Sequence, residues 1–387
     1  MKRIFKNYLL GAAIALALPT SLMARDVDTI VGVREEMARG VAALTADPAF
    51  NSALGEHLVK GRASLADVLR DMRSPARADQ ITHLRNLERQ AIELRGLTGA
   101  LDTLIDVRTY GVDATRPLPA MSDFWIGTIS RDPASGEKQV VAFDTAGAEH
   151  RYDLESVPSV PMLVVESNGS AALRAGISVM NAELRGDVQP QRRRVRRSAP
   201  MTLATESRPD ESLTLLKAIY LTKDHEPNIE GDAEVFAIVS GIGADGKARI
   251  ITKDMPWLDH DKRWYSPGMD LINWTDYGTN YVNVQLFEED GNTNFKDLAT
   301  AVTGATGDLS VLISPEAPAA LIVAGVSKIA NEILKIMPAK WFENSNDYID
   351  SFYVIERGGN YGSDEEPLRG ARGEAFMILE PYVVKHR

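Results

Sequence analysis

The sequence predicts an α+β chain of several domains, with a helical N-terminal region leading into a small antiparallel sheet and then a C-terminal β-sandwich with one inserted helix. Three observations predict it. Apolar residues recur at three- and four-residue steps up to about residue 106, and from about residue 121 they alternate. After a polar, arginine-rich stretch they return as short apolar runs punctuated by Gly, Asn and Asp, the pattern of strands joined by turns.

A chain of 387 residues with 44% hydrophobic composition is long and apolar enough for two or three cored domains. Its first residues read as an export signal: Lys2, Arg3 and Lys6 precede an apolar run from Leu9 to Leu18, and Ala24 is a small residue suited to cleavage. The run is too short to span a bilayer of about 30 Å, and the longest later one, Ala317 to Met337, is interrupted by Lys328, Glu332 and Lys335. The expected product is therefore periplasmic or secreted, with no integral membrane segment after cleavage. The chain has no cysteine, which excludes disulfides, thiolate metal sites and cysteine nucleophiles. Residues 1–211 carry 27 basic and 27 acidic side chains, whereas 212–387 carry 16 and 27, so the formal charge of −11 belongs to the C-terminal half. An acid-rich half argues against nucleic acid and for a cation or a solvated acidic face.

In chain order, residues 1–24 are expected as the signal peptide and 25–106 as a helical region. In the latter Ile30, Val33, Met37, Val41 and Leu44 form one stripe, and Ile81, Leu84, Leu87, Ala91 and Leu94 another. Residues 107–185 read as a small α+β unit, with strands FWIGTIS, QVVAFDT, HRYDL and PMLVVES and a helix from Ala171 to Leu184. Residues 186–211 lack apolar periodicity and hold Arg192, Arg193, Arg194, Arg196 and Arg197, the mark of a charged linker or a processing site. Residues 212–387 are the expected sandwich. It has eight strand-like runs, a helix from about Pro318 to Ile336, and a clear alternation in which Val282, Val284 and Leu286 oppose Asn283 and Gln285.

Between those strands lie three acidic loops, KDHEPNIEGDAE, DMPWLDHDK and LFEEDGNTNFKD. Calcium takes six to eight oxygen ligands from flexible loops, so Asp224, Glu226, Asp232, Glu288 and Asp290 are candidate calcium ligands. Asp259, Asp261, Asn292 and Asn294 stand in reserve. An EF-hand is excluded, since a loop starting at Asp290 has Phe295 where glycine belongs and Ala301 where glutamate belongs. The pattern is instead C2-like, with acidic loops at one end of a sandwich. Solvated turns are the plain alternative, because Asp and Asn are ordinary turn residues. Trp257, Trp264, Tyr265 and Trp274 are candidates to line an adjacent surface or to fill the core. His225 and His260 admit a metal-assisted hydrolase, but there is no zinc-binding histidine pair, nucleophile elbow, phosphate loop or dinucleotide fingerprint. The reading leans away from an enzyme and towards a calcium-stabilised binding or adhesion module whose partner is a protein or a glycan.

The runs LTKDHEPNIEGDAEVFAIVSG, MPWLDHDKRWY and LFEEDGNTNFKDL, with the segment ending in PMLVVESNG, resemble the exported proteobacterial family catalogued as domain of unknown function 3103. The resemblance implies an exported bacterial protein and supplies no activity and no catalytic residue.

Overall fold

Seven helices and fifteen strands follow one another in a computed structural model that describes residues 28–58, 61–112, 118–132, 135–185, 210–223, 229, 233–289, 291–307, 313–336 and 348–385. The expected signal peptide lies outside these residues, as do residues 186–209 of the expected linker.

The N-terminal helices start where the sequence offers caps. Thr29 accepts from the Gly32 amide to begin α1 (Ile30–Leu44), and Asp47 with Pro48 begins α2 (Pro48–His57). A short strand β1 (Arg62–Ser64) runs into α3 (Leu65–Asp71), capped by Ser64. α4 (Ala78–Leu94) ends where Gly96 takes φ +66° and lets Leu97 reach back to the Ile92 carbonyl. The remaining strands of this part are β2 (Ile105–Tyr110), β3 (Trp125–Arg131), β4 (Lys138–Phe143), β5 (Glu149–Asp153) and β6 (Met162–Ser167). Then comes α5 (Gly169–Leu184), capped by Asn168.

These strands form one six-stranded sheet in the order β1-β2-β6-β3-β4-β5. It differs from the expected small antiparallel sheet in two ways. β1 and the first two residues of β2 come from the stretch read as helical, and β3 runs parallel to β6. A three-residue strand such as β1 carries too little alternation to register, and strand direction is not encoded in a run's own pattern.

The C-terminal part contains β7 (Glu211–Leu221), β8 (Glu234–Ile242), β9 (Ala248–Asp254), β10 (Trp264–Tyr265), β11 (Met269–Asn273) and β12 (Tyr281–Glu289). It continues with α6 (Phe295–Gly307), α7 (Ala319–Ile336), β13 (Tyr348–Glu356), β14 (Leu368–Arg369) and β15 (Ala375–Val384). Four strands pair in the order β13-β12-β8-β9, and five others centre on the β7–β15 pair, all antiparallel. The two sheets share a core: Ile219, Leu221, Met377 and Leu379 of one meet Val235, Val239, Val284 and Leu286 of the other. Trp274 is buried at the margin of this core, its indole N–H donating to Thr214 Oγ1 at 2.9 Å. The expected inserted helix is α7; α6 begins inside the third acidic loop and is not among the expected helices, and residues 309–312 of the predicted strand LSVLI lie outside the description.

The four-stranded sheet is covered on both faces. Asn283 and Gln285 are fully buried under α7, donating to the carbonyls of Val326 at 2.7 Å and Ala330 at 3.2 Å. On the same face Phe236, Ile238 and Phe287 join a core that runs through α5, α6, α7 and the N-terminal helices to β2 and β6. Each such fully buried ring or aliphatic chain contributes about 1.5–3 kcal/mol of transfer free energy. Apolar side chains from both sides of residues 186–211 thus share one core.

Candidate functional site

All three acidic loops leave the same end of the paired sheets. Glu234 opens β8 and Glu289 closes β12, and the two are direct cross-strand partners, as are Val235 and Glu288. Asp254 closes β9 opposite Phe236, so the second loop starts beside them; its Met255 amide donates to Val235 and its Lys262 amide to Leu221, the last residue of β7. By the alternation of β12, Glu289 shares the helix-facing side with Phe287, and Glu288 lies on the side facing the second sheet.

The third loop is shaped from across the molecule. Arg95, immediately after α4, is fully buried, and its guanidinium pairs with the fully buried Glu289 at 2.9 Å. Its Nε and Nη1 donate to the carbonyls of Thr293 and Gly291, each at 2.8 Å, and it lies 5.2 Å from the centroid of Phe295. Glu289 in turn accepts from the amides of Gly291 at 2.8 Å and Thr293 at 3.4 Å. A buried ion pair of this kind depends on its other donors and acceptors being met, and here the loop backbone meets Arg95 Nε and Nη1 and Glu289 Oε1, while Arg95 Nη2 and Glu289 Oε2 face each other.

Glu234 has a different environment. It is half-buried, and its carboxylate sits against Gly169 at the start of α5, where any β-carbon would collide with it. Burial, reinforced by the charges of Glu289 and Glu166 and opposed by Arg62, pushes its carboxyl up to about 8. Next to it, Glu166 of β6 is gripped by Arg108 through two hydrogen bonds of 2.9 and 2.8 Å and by Arg62 at 2.8 Å. Arg62 also reaches Asp106, which accepts from the Asn168 amide and is raised by burial against the pull of Arg62. Arg108 donates to the Ile229 carbonyl at 2.8 Å, and the Ile229 side chain is buried among Val140, Ala142, Met162 and Val164. The first acidic loop is thereby pinned to the N-terminal sheet at one residue.

Of the expected ligands, Asp224, Glu226, Asp232 and Asp290 lie outside the described residues, as does His225. Glu288 is buried at the end of β12. Asp259 accepts from the Tyr265 hydroxyl at 2.8 Å and Asp261 pairs with Lys262. Asn292 accepts from Arg34 at 3.2 Å. Asn294 uses both ends of its amide, capping α6 at the Asp297 amide and donating to the Leu94 carbonyl. Among the described residues no group of three or more His, Asp or Glu side chains is placed to hold a metal ion. Arg95, Arg108 and Glu166 do not stand out in the sequence, because a charge beside an apolar stripe reads as a solvated one.

Among the described residues no helix is long and apolar enough to cross a membrane. No curated protein and no solved structure matches the chain. A family model does match, over residues 34–387, from the first turns of α1 through both sheets that carry the acidic loops. The chain belongs to the family described as "Protein of unknown function (DUF3103)".

Proposed function

We propose that the chain is an exported, non-enzymatic binding module of C2-like design, whose acidic loops are organised by calcium. One observation carries this reading: the bases of all three loops converge at one end of two facing sheets, where Glu234 and Glu289 stand directly opposite. Of these two, Glu289 is neutralised by Arg95, whereas Glu234 has no ion pair or hydrogen bond among the described residues. Carboxylates crowded in this way raise one another's pKa until a cation offsets the repulsion, and hard oxygen donors suit calcium rather than zinc. In this reading Asp224, Glu226, Asp232 and Asp290 supply the ligands. Export is supported by the pattern of Lys2, Arg3 and Lys6 followed by the apolar run from Leu9 to Leu18.

The test is a thermal melt in chelator with calcium titrated back, and magnesium and zinc as controls. Calcium is expected to stabilise saturably, by about 2.7 kcal/mol at a hundredfold excess over its dissociation constant. Asp224→Asn and Asp290→Asn should each weaken that response without changing the melt in chelator. A melt that no ion moves, or that zinc alone moves, overturns the proposal.

A further inference from the structure

The outer face of the five-stranded sheet carries a row of side chains that the core does not use. Trp264 pairs with Tyr220 across β10 and β7, Tyr220 with Phe376 across β7 and β15, and Phe376 with Arg369 across β15 and β14. Their neighbours Ile219, Leu221, Met377 and Leu368 turn to the inner side, so the four lie together on the outer one. The rings touch in sequence, with centroids 5.4 Å apart for Trp264 and Tyr220 and 6.2 Å for Tyr220 and Phe376. Trp264 is 45% exposed and Tyr220 and Phe376 are half-buried, while α5 and α7 pack on the opposite sheet.

Arg369 closes the row with an exposed guanidinium laid against Gly373, whose φ of +74° and missing side chain make room for it. Among the described residues it makes no hydrogen bond or ion pair, whereas Lys217 on the same sheet is matched by Glu380 and Lys262 by Asp261. One uncommitted positive charge at the end of three touching rings, tilted by 38° and 66° from one to the next, in a half of the chain with an excess of acids, complements a ligand with apolar ring faces and a sparse negative charge.

We propose that this row binds a glycan, its rings stacking on the C–H faces of consecutive sugars and Arg369 pairing with the carboxylate of a uronic acid. The proposal rests on the reading of the chain as a binding module and not on calcium. A peptide added as a strand would need an open sheet edge, and these residues lie on a face. An anionic membrane would meet the acid excess of this half over its whole width, whereas a short oligosaccharide meets the row alone.

The experiment is calorimetric titration of the full chain, in chelator, with a hyaluronan tetrasaccharide and with chitotetraose as the neutral counterpart. The uronate ligand is expected to bind saturably and the neutral one about tenfold more weakly. Trp264→Ala and Tyr220→Leu should each weaken binding about tenfold, and Arg369→Gln should remove the preference for the uronate, all with unchanged melting temperatures. Absence of binding, equal binding of both sugars, or indifference to all three substitutions overturns the proposal. Sedimentation showing a dimer that Trp264→Ala dissociates also overturns it and gives the face to a second copy of the chain. A calcium response without glycan binding sinks this inference alone, and glycan binding without a calcium response sinks the cation alone.

Discussion

Arg95 and Glu289 neutralise each other where water cannot reach either, so removing one partner leaves a buried charge. Arg95→Met is expected to destabilise the protein by about 3–5 kcal/mol, measured by denaturant unfolding. Adding Glu289→Gln to that variant should recover part of the loss, because glutamine removes the stranded charge and still accepts from Gly291 and Thr293. Glu234 is the converse case, a carboxyl whose pKa is raised by folding to about 8 from an ordinary value near 4.5. Its folded form favours the proton, so its cost is absent below pH 4.5 and grows as pH rises towards 8. In chelator, Glu234→Gln should therefore leave the melting temperature unchanged at pH 4 and raise it progressively up to about pH 8, then hold the gain. A pH-independent effect would show that the substitution acts through packing against Gly169 instead. Neither residue is legible as special in the sequence. Arg95 follows an apolar stripe on which it reads as solvent-facing, and Glu234 is one acid among many until the β8–β12 register sets it against Glu289.

Among the elements, β12 shows best what periodicity records and what it omits. Its alternation places Val282, Val284 and Leu286 on one face correctly, but Asn283 and Gln285 look like solvent-facing residues only until α7 is laid over them. A polar residue that bonds a helix carbonyl is indistinguishable in sequence from one that bonds water. Asn283 also braces the neighbouring strand, its Oδ1 accepting from the Val354 amide at 2.8 Å, where the β12–β13 register slips and Val354 takes φ +59°. A β-branched residue in the left-handed region is strained, so Val354→Gly should stabilise the fold by about 1 kcal/mol, read as a higher denaturant midpoint with an unchanged slope. A lower midpoint would mean that the valine side chain contributes more than its backbone costs. α6 escapes the sequence reading for a local reason, since its first turn overlaps the acidic run whose Asn and Asp residues read as turn formers.

At the scale of the molecule, helices and sheet on one side of residues 186–211 and two helices and a sheet face on the other contribute to one core. A fragment beginning at residue 210 would expose the face of α6, β8 and β9 that packs on α5, and it is expected to show no cooperative melt on its own. A cooperative transition from that fragment would show instead that the paired sheets are self-sufficient. Sequence signals locate most of the strands and the α+β class because those depend on neighbours in the chain. The shared core is not legible there, since amphipathic stripes state that they need a partner without saying which. The grip of Arg95 on the loop after β12 spans 198 positions between its guanidinium and Thr293, a closure that a chain makes late because it must first surrender the freedom of everything between. The end of the molecule proposed to hold calcium is thus expected to mature late, and any partner that needs that loop in its final shape would engage finished molecules and pass over those still folding.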